Sequence, residues 1–417
     1  MKVPEGWRAV SLSECAKVER GKFAHRPRNE PRFYGGSMPF VQTGEVSNAQ
    51  GVIRSYSQTL NEEGVAISKV FPKGTLLMTI AANIGDVAEL GFDAACPDSL
   101  VAILPSDGVC RGYLRRYLER QKPRIHYLAP QNAQKNINVD FLERLAVLLP
   151  PDEEQRKISD LFDLCDAGTG KLGDLLEAKR AYKRGLMQQL LTGRKRFKEF
   201  VKSRHQVKTR YGCFPVDWTA AHIGDLADEV RETNGGGHAL PVLSCTKYRG
   251  LVNSLEYFGK RVFSADTSNY KVVRRGDFAY ATNHIEEGSI GYQDLHDAAL
   301  ISPMYTVFRT RAGVDHSFFF KLVKTELYRH IFEVNTSGSI ARRGGLRWDE
   351  FAIIKVFLPS VPEQRRIAAV LSACDREIEL LQKQLAALKD QKRGLMQKLL
   401  TGEVRVKVKG QRLKAKC

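Results

Sequence analysis

The sequence has no apolar run that could cross a bilayer. Such a crossing needs ~18 residues; the longest stretches, Leu145 to Leu149 and Phe351 to Leu358, are short, and the second contains Lys355. The start, Met1-Lys2-Val3-Pro4-Glu5-Gly6-Trp7, lacks the apolar centre of a signal peptide. None of the eight cysteines forms a Cys-x-x-Cys pair, which speaks against a zinc ribbon or a dithiol redox site. Scattered along so long a chain, they predict reduced thiols, mostly in cores. Acidic residues are the scarce charge: 47 Asp and Glu face 65 Lys and Arg, for a net charge of +18 and a pI near 9.5. That surplus points to a polyanionic partner, nucleic acid before membrane. The chain nonetheless has 417 residues and a 43% hydrophobic fraction, enough for two or three ordinary cores.

Catalytic signatures fail one by one. Gly168-Thr169-Gly170-Lys171-Leu172 is like the end of a phosphate loop, but Cys165 and Leu172 stand where the loop needs Gly and Ser or Thr. Pro151-Asp152 and Glu177-Ala178-Lys179 have a nuclease spacing. Both lie on one predicted helix, however, and at ~1.5 Å per residue they are ~37 Å apart, too far to share a metal. No Asn-Pro-Pro-Tyr or Asp-Pro-Pro-Tyr element of an amino-methyltransferase occurs, and the nine histidines show no His-Glu-x-x-His spacing. The expectation is a chain with no catalytic residue and no metal site. Among the histidines His284, beside Asn283, stands out as a base or phosphate contact.

What is present is a repeat. Lys183-Arg184-Gly185-Leu186-Met187-Gln188-Gln189-Leu190-Leu191-Thr192-Gly193 returns as Lys392-Arg393-Gly394-Leu395-Met396-Gln397-Lys398-Leu399-Leu400-Thr401-Gly402. Glu154-Gln155-Arg156-Lys157-Ile158 returns as Glu363-Gln364-Arg365-Arg366-Ile367, Cys165-Asp166 as Cys374-Asp375, and Pro4 and Trp7 as Pro215 and Trp218. The segments 152–193 and 361–402 match closely; 8–140 and 219–349 match only in outline.

The close-matching segments carry heptads: Ile367, Leu371, Cys374, Ile378, Leu381, Leu385, Leu388, Leu395 and Leu399 in one, and Ile158, Phe162, Cys165, Leu172, Leu176, Leu186 and Leu190 in the other. Each predicts a helix of ~40 residues, ~60 Å long. Pro151 and Pro362 suit the starts, Gly193 and Gly402 the ends. Gly168, Gly170 and Gly173 predict a bent or loose stretch in the first helix. Lys183 and Lys392 fall on the seam, where they would limit helix pairing unless they face a partner or DNA phosphate. Two such helices can bury their seams by packing antiparallel, related by a pseudo-twofold axis.

The divergent segments predict mixed α/β domains, with strands at Leu76 to Ile80, Leu100 to Leu104, Lys271 to Val273, Tyr305 to Phe308 and Ala352 to Leu358, and helices at Tyr113 to Gln121 and Phe318 to His330. Three loops in each have the directional donors and acceptors that base reading requires. In the first copy they carry Thr43 and Glu45, then Asn83, then Gln131, Gln134, Lys135 and Asn136. In the second they carry Thr246, Lys247 and Tyr248, then Asn283 and His284, then Ser337, Ser339, Arg342 and Arg343. Basic residues cluster after each Leu-Leu-Thr-Gly, from Arg194 to Arg210 and from Arg405 to Lys416, where they either contact phosphates or are simply solvated.

With these duplicated helix starts and ends, and the Pro4…Trp7 and Pro215…Trp218 pairs, the chain resembles the specificity subunit of type I restriction-modification systems over nearly its whole length. The resemblance implies an α+β fold of two target-recognition domains in tandem repeat, separated by two long antiparallel coiled-coil helices. The bounds would be 1–150 for the first domain, 151–193 for its helix, 194–210 for a basic linker, 211–358 for the second domain, 359–402 for its helix and 403–417 for a basic tail. It further implies that each domain reads one half of a split double-stranded DNA target. Two methyltransferase subunits would dock and supply S-adenosylmethionine chemistry, restriction/translocase subunits would use ATP and Mg, and this cytoplasmic chain would need no cofactor. The rival reading is a stand-alone duplicated DNA-binding regulator that homodimerises through its helices.

Overall fold

The computed structural model describes residues 3–81, 83–128, 137–235, 239–336 and 345–407. The expectations for Gln131, Gln134, Lys135, Asn136, Ser337, Ser339, Arg342 and Arg343 lie outside the described residues. The chain forms two compact units, Met1–Gly173 with Lys383–Cys417, and Asp174–Gln382. Bounds drawn on the sequence keep each long helix whole, whereas the compact units divide both. The reason is where their apolar residues go. Ile158 and Phe162, near the start of the first helix, share a core with Leu399 and Leu400 at the end of the second. Leu190 and Leu191, at the end of the first, share the other core with Ile367 and Leu371 near the start of the second.

Each unit is built on the same antiparallel sheet. In the first unit the strand order is Ala16–Arg20, Leu100–Pro105, Leu76–Thr79, Val87–Leu90, with the short parallel strand Val52–Ile53 added at the edge. In the second it is Ala227–Val230, Tyr305–Thr310, Asp277–Ala281, Ile290–Tyr292. The central strands are almost wholly buried, Leu76, Leu77 and Met78 in one and Phe278, Ala279 and Tyr280 in the other, as fits apolar runs covered on both faces. Gly74 and Gly276 precede them with φ of +88° and +95°, so the turn into the strand is the same in both. A short antiparallel pair closes each unit, Arg8 opposite Leu149 and Thr219 opposite Leu358.

Two expected elements are shorter or split. The run from Ala352 divides into a helix, Trp348–Ala352, and the strand Lys355–Leu358. Asp349 and Glu350 favour the helix start, and the Glu350 carboxylate accepts from the Arg347 amide at 3.1 Å. The run from Phe318 forms two helices, His316–Val323 and Glu326–Thr336. Between them the Thr325 hydroxyl accepts from the Tyr328 amide at 3.4 Å, capping the second.

The long helices are Asp152–Leu190 and Val361–Leu399, 39 residues each. The first runs unbroken through Gly168, Gly170 and Gly173, so these glycines do not interrupt it. The Thr169 hydroxyl donates to the Cys165 and Asp166 carbonyls at 3.0 Å, closing back onto the preceding turn. The seam lysines are ion-paired. Within the first unit Lys392 pairs with Asp166, which also accepts from Arg116 at 3.2 Å. Within the second, Lys183 pairs with Asp375, which also pairs with Lys321 at 2.8 Å. The repeated Cys-Asp and the repeated lysine are therefore the two halves of one device used twice, and neither lysine is a defect in the seam. In each unit these pairs set the two helical segments antiparallel.

The remaining repeated residues have matching tasks. Gln155 Nε2 donates to Pro150 O at 2.9 Å and Gly108 O at 3.3 Å, while its Oε1 accepts from the Cys110 amide at 2.8 Å. Gln364 does the same with Pro359, Gly313 and Asp315 at 2.9, 3.2 and 2.8 Å. Gly402 and Gly193, both at φ +70°, end the helices so tightly that a Cβ would lie 2.4 Å from Pro4 or 2.5 Å from Pro215. That close seat, shared by Trp7 and Trp218, explains why a Pro…Trp pair recurs with each Leu-Leu-Thr-Gly.

Candidate nucleic-acid interface

In each unit two of the expected reading loops, and the described exit of the third, lie at one end of the central strand. In the first unit the helix Thr43–Asn48 carries the first group. Thr43 opens it, half-buried. The Glu45 carboxylate accepts from the Gln42 amide at 3.1 Å and the Ser57 amide at 3.3 Å, and the Ser57 hydroxyl also donates to it. Burial opposes its ionisation, yet these hydrogen bonds outweigh burial and hold the carboxyl below its usual range. Glu45 thus ties its helix to the following segment. Exposed Asn83 sits beside that helix, its Nδ2 3.4 Å from Ser47 Oγ. Ser47 Oγ donates to Asp86 at 2.8 Å, and Asp86 pairs with Lys122 of the helix Arg111–Leu128. The third loop ends at Ile137, whose amide donates to Ile80 O at 3.2 Å, just past the central strand.

The second unit repeats the layout with other residues. Thr246, Lys247 and Tyr248 form the turn of a hairpin, Leu243–Thr246 against Gly250–Asn253. Thr246 Oγ1 accepts from the Arg249 amide at 3.1 Å, and Tyr248 projects with 85% of its surface exposed. Asn283 and His284 stand exposed at the end of the central strand. Here the third loop's exit returns too: the Leu346 amide donates to Thr282 O at 2.9 Å. His284 Nδ1 faces the Glu287 carboxylate at 3.4 Å, and with Glu286 these groups bring one ligand atom each within 4.8 Å of one another. A base or phosphate contact by His284 would compete with that carboxylate.

The basic segments that follow the long helices are not all free for phosphate. Arg196 donates to both oxygens of buried Glu363 at 2.8 Å and to Asp217 at 2.6 Å. Arg405 donates to both oxygens of buried Glu154 at 2.7 Å, and Trp7 Nε1 donates to the same carboxylate at 3.2 Å. Hydrogen bonds to Glu363 and Asp217 push the Arg196 guanidinium above its ordinary range. The identical register of Glu154 with Glu363 and Arg196 with Arg405 in the two copies was a legible sign of this pairing. Arg194, Lys195, Lys198, Lys202 and Arg204 remain as exposed cations. The residues that join the loops, Ser47, Asp86, Lys122 and Lys324, share no common register and had no such signal.

Two units with the same sheet, each placing the described parts of its expected polar loops at one end of the central strand, share one layout. Residues 4–179 match the family described as type I restriction modification DNA specificity domain. The type I restriction enzyme MjaVIII specificity subunit of Methanocaldococcus jannaschii is 23% identical over 98% of this chain and 95% of its own. The MjaIX specificity subunit of the same organism is 23% identical over 97% and 95%. The crystal structure of a type I S subunit from M. genitalium superposes with a TM-score of 0.55 at 15% identity, covering 96% of this chain and 98% of that one. A chain from a type I R-M system solved for its complex assembly and conformational transition gives 0.56 at 16% identity, covering 97% and 100%. Residues 4–179 carry the type I DNA specificity domain, and over nearly its whole length the chain is similar to the specificity subunits of type I restriction-modification systems. A homodimerising regulator is not favoured, since the helix seams are engaged within the chain itself. Among the described residues no helix is long and apolar enough to cross a membrane.

Proposed function

We propose that each unit reads one half of a bipartite double-stranded DNA target through its three convergent loops, and that the long helices fix the gap between the halves. The observation that carries this reading is the repeated convergence: the third loop returns beside Ile80 in one unit and beside Thr282 in the other, at the base of the second loop each time. Side chains of that kind discriminate base edges in the major groove, at ~1–3 kcal/mol per good bidentate contact. The surplus of exposed cations supplies the sequence-independent part of the affinity.

In this reading the chain is not catalytic. Two methyltransferase subunits dock on it and hold S-adenosylmethionine, restriction/translocase subunits hold ATP and Mg, and the complex works in the cytoplasm, where the DNA is. Methylation-site mapping on the assembled complex tests the two-reader arrangement. Asn83→Ala should relax the first half-site alone, and Asn283→Ala the second alone, by ~1–3 kcal/mol for each lost contact. Equal loss at both halves from either substitution would overturn it.

A further inference from the structure

In both units the helix that follows the sheet carries two cations facing different ways. On Arg111–Leu128, Arg116 reaches Asp163 at 2.5 Å and Asp166 of the first long helix, and Lys122 reaches Asp86 below the reading loops. On His316–Val323, Lys321 reaches Asp375 of the second long helix; Lys324, just past its end, reaches the loops. Lys324 Nζ donates to Thr246 O at 3.4 Å, Lys247 O at 3.0 Å and Gly288 O at 2.5 Å. An ammonium has three N–H donors, and three carbonyls take them. Two of those carbonyls belong to the turn that carries Thr246, Lys247 and Tyr248. The third closes the turn that carries Asn283 and His284.

The position is a costly one for a lysine. Burial pushes its pKa down to about 8, and the nearby Arg329 guanidinium adds to that shift. A neutral side chain would escape the desolvation, but it could not span three carbonyls on two loops. In the first unit the same task falls to a relay. Lys122 holds Asp86, Asp86 holds Ser47 of the helix that carries Thr43, and Ser47 meets Asn83.

We propose that Lys324 is a positioning residue for base reading. It fixes the spacing between the 246–248 turn and the 283–284 turn so that both address one half-site, as Lys122 does through Asp86 and Ser47 in the first unit. This inference rests on the reading that these loops touch DNA. Each reader helix then registers its loops against the long helix to which its other cation is tied.

The test is methylation-site mapping with the full chain assembled with its methyltransferase subunits. Lys324→Met keeps the stem and loses the donors. It should cut discrimination at the second half-site about tenfold, the worth of a lost charged hydrogen bond, and leave the first unchanged. Lys324→Arg, which keeps donors and charge, should restore part of the loss, and Lys122→Met should affect only the first half-site. If the Met variant does not assemble, Lys324→Gln should show the same one-sided loss. Equal loss at both half-sites, or no rescue by Arg, overturns the proposal. So does an intact second half-site in Lys324→Met when the double variant Tyr248→Ala/Asn283→Ala degrades it. If that double variant leaves the second half-site intact as well, the loop reading itself has failed, and the proposal with it.

Discussion

The Glu-Gln-Arg sequence at each helix start owes its recurrence to what each side chain holds. The glutamate is buried against an arginine that follows the other helix, the glutamine closes two loops, and the exposed basic residues complete the turn. Arg196→Met should therefore be severe. It strands the Glu363 carboxylate, 1% exposed, and frees Asp217 as well. A loss of ~3–5 kcal/mol is expected in urea unfolding, because removing one partner of a buried pair leaves an uncompensated charge. A milder loss would mean that water reaches Glu363. Asp375 gives a pH signature. Burial opposes its ionisation, but hydrogen bonds from Lys183 and Lys321 hold its carboxyl below the usual range. A depressed folded-state value contributes stability above the unfolded value, ~3.9, and loses it as pH falls through the folded value. Asp375→Asn should thus melt below the parent at pH 7, and the two melts should converge in acid. A constant gap would exclude the ionised carboxylate as the cause. At this scale the sequence showed the residues but not their partners. Glu154, Asp166, Lys183 and their copies were visible as repeats. That a seam lysine answers the aspartate next to the seam cysteine became visible only once the helix segments lay antiparallel. Lys324 could not be singled out, because its acceptors are backbone carbonyls and no side-chain pattern encodes them.

Helices were the most legible elements, because a heptad is a long signal and 39 residues sample it many times. Short strands were less so: the stretch from Ala352 is apolar enough for either state, and capping by Glu350 decided it. The glycines of the first helix weaken it without breaking it. An interior glycine costs roughly 1 kcal/mol against alanine, which weakens a helix without breaking it when its ends are held by packed cores. Gly168, Gly170 and Gly173 would each place a new Cβ in open space. Gly168→Ala and Gly170→Ala should each stabilise the chain by ~0.5–1 kcal/mol in thermal or urea melts. A destabilised variant would show that the glycines accommodate a close approach that the isolated chain does not display.

For the molecule as a whole, the proposed function predicts that the reading loops and the helices carry separable information. Deleting one heptad from each long helix removes seven residues at ~1.5 Å rise apiece, about 10 Å of each rod. Methylation mapping should then show a shortened gap with both half-sites still recognised; altered half-sites with an unchanged gap would contradict that division of labour. The two compact units also differ in how their chain is supplied. The second is drawn from one continuous stretch, Asp174–Gln382, while the first needs Lys383–Cys417 to complete it. On a ribosome the residues of the second unit have all emerged before Leu399, Leu400 and Arg405, which cover Ile158, Phe162 and Glu154 of the first. Domains generally fold in the order of their synthesis; here the N-terminal reader is the last to close. Until the final turn of the second helix leaves the tunnel, the nascent chain carries an open core edge and an uncompensated glutamate at its front end. A stop codon near position 390 would therefore cost the cell the half of the protein made first.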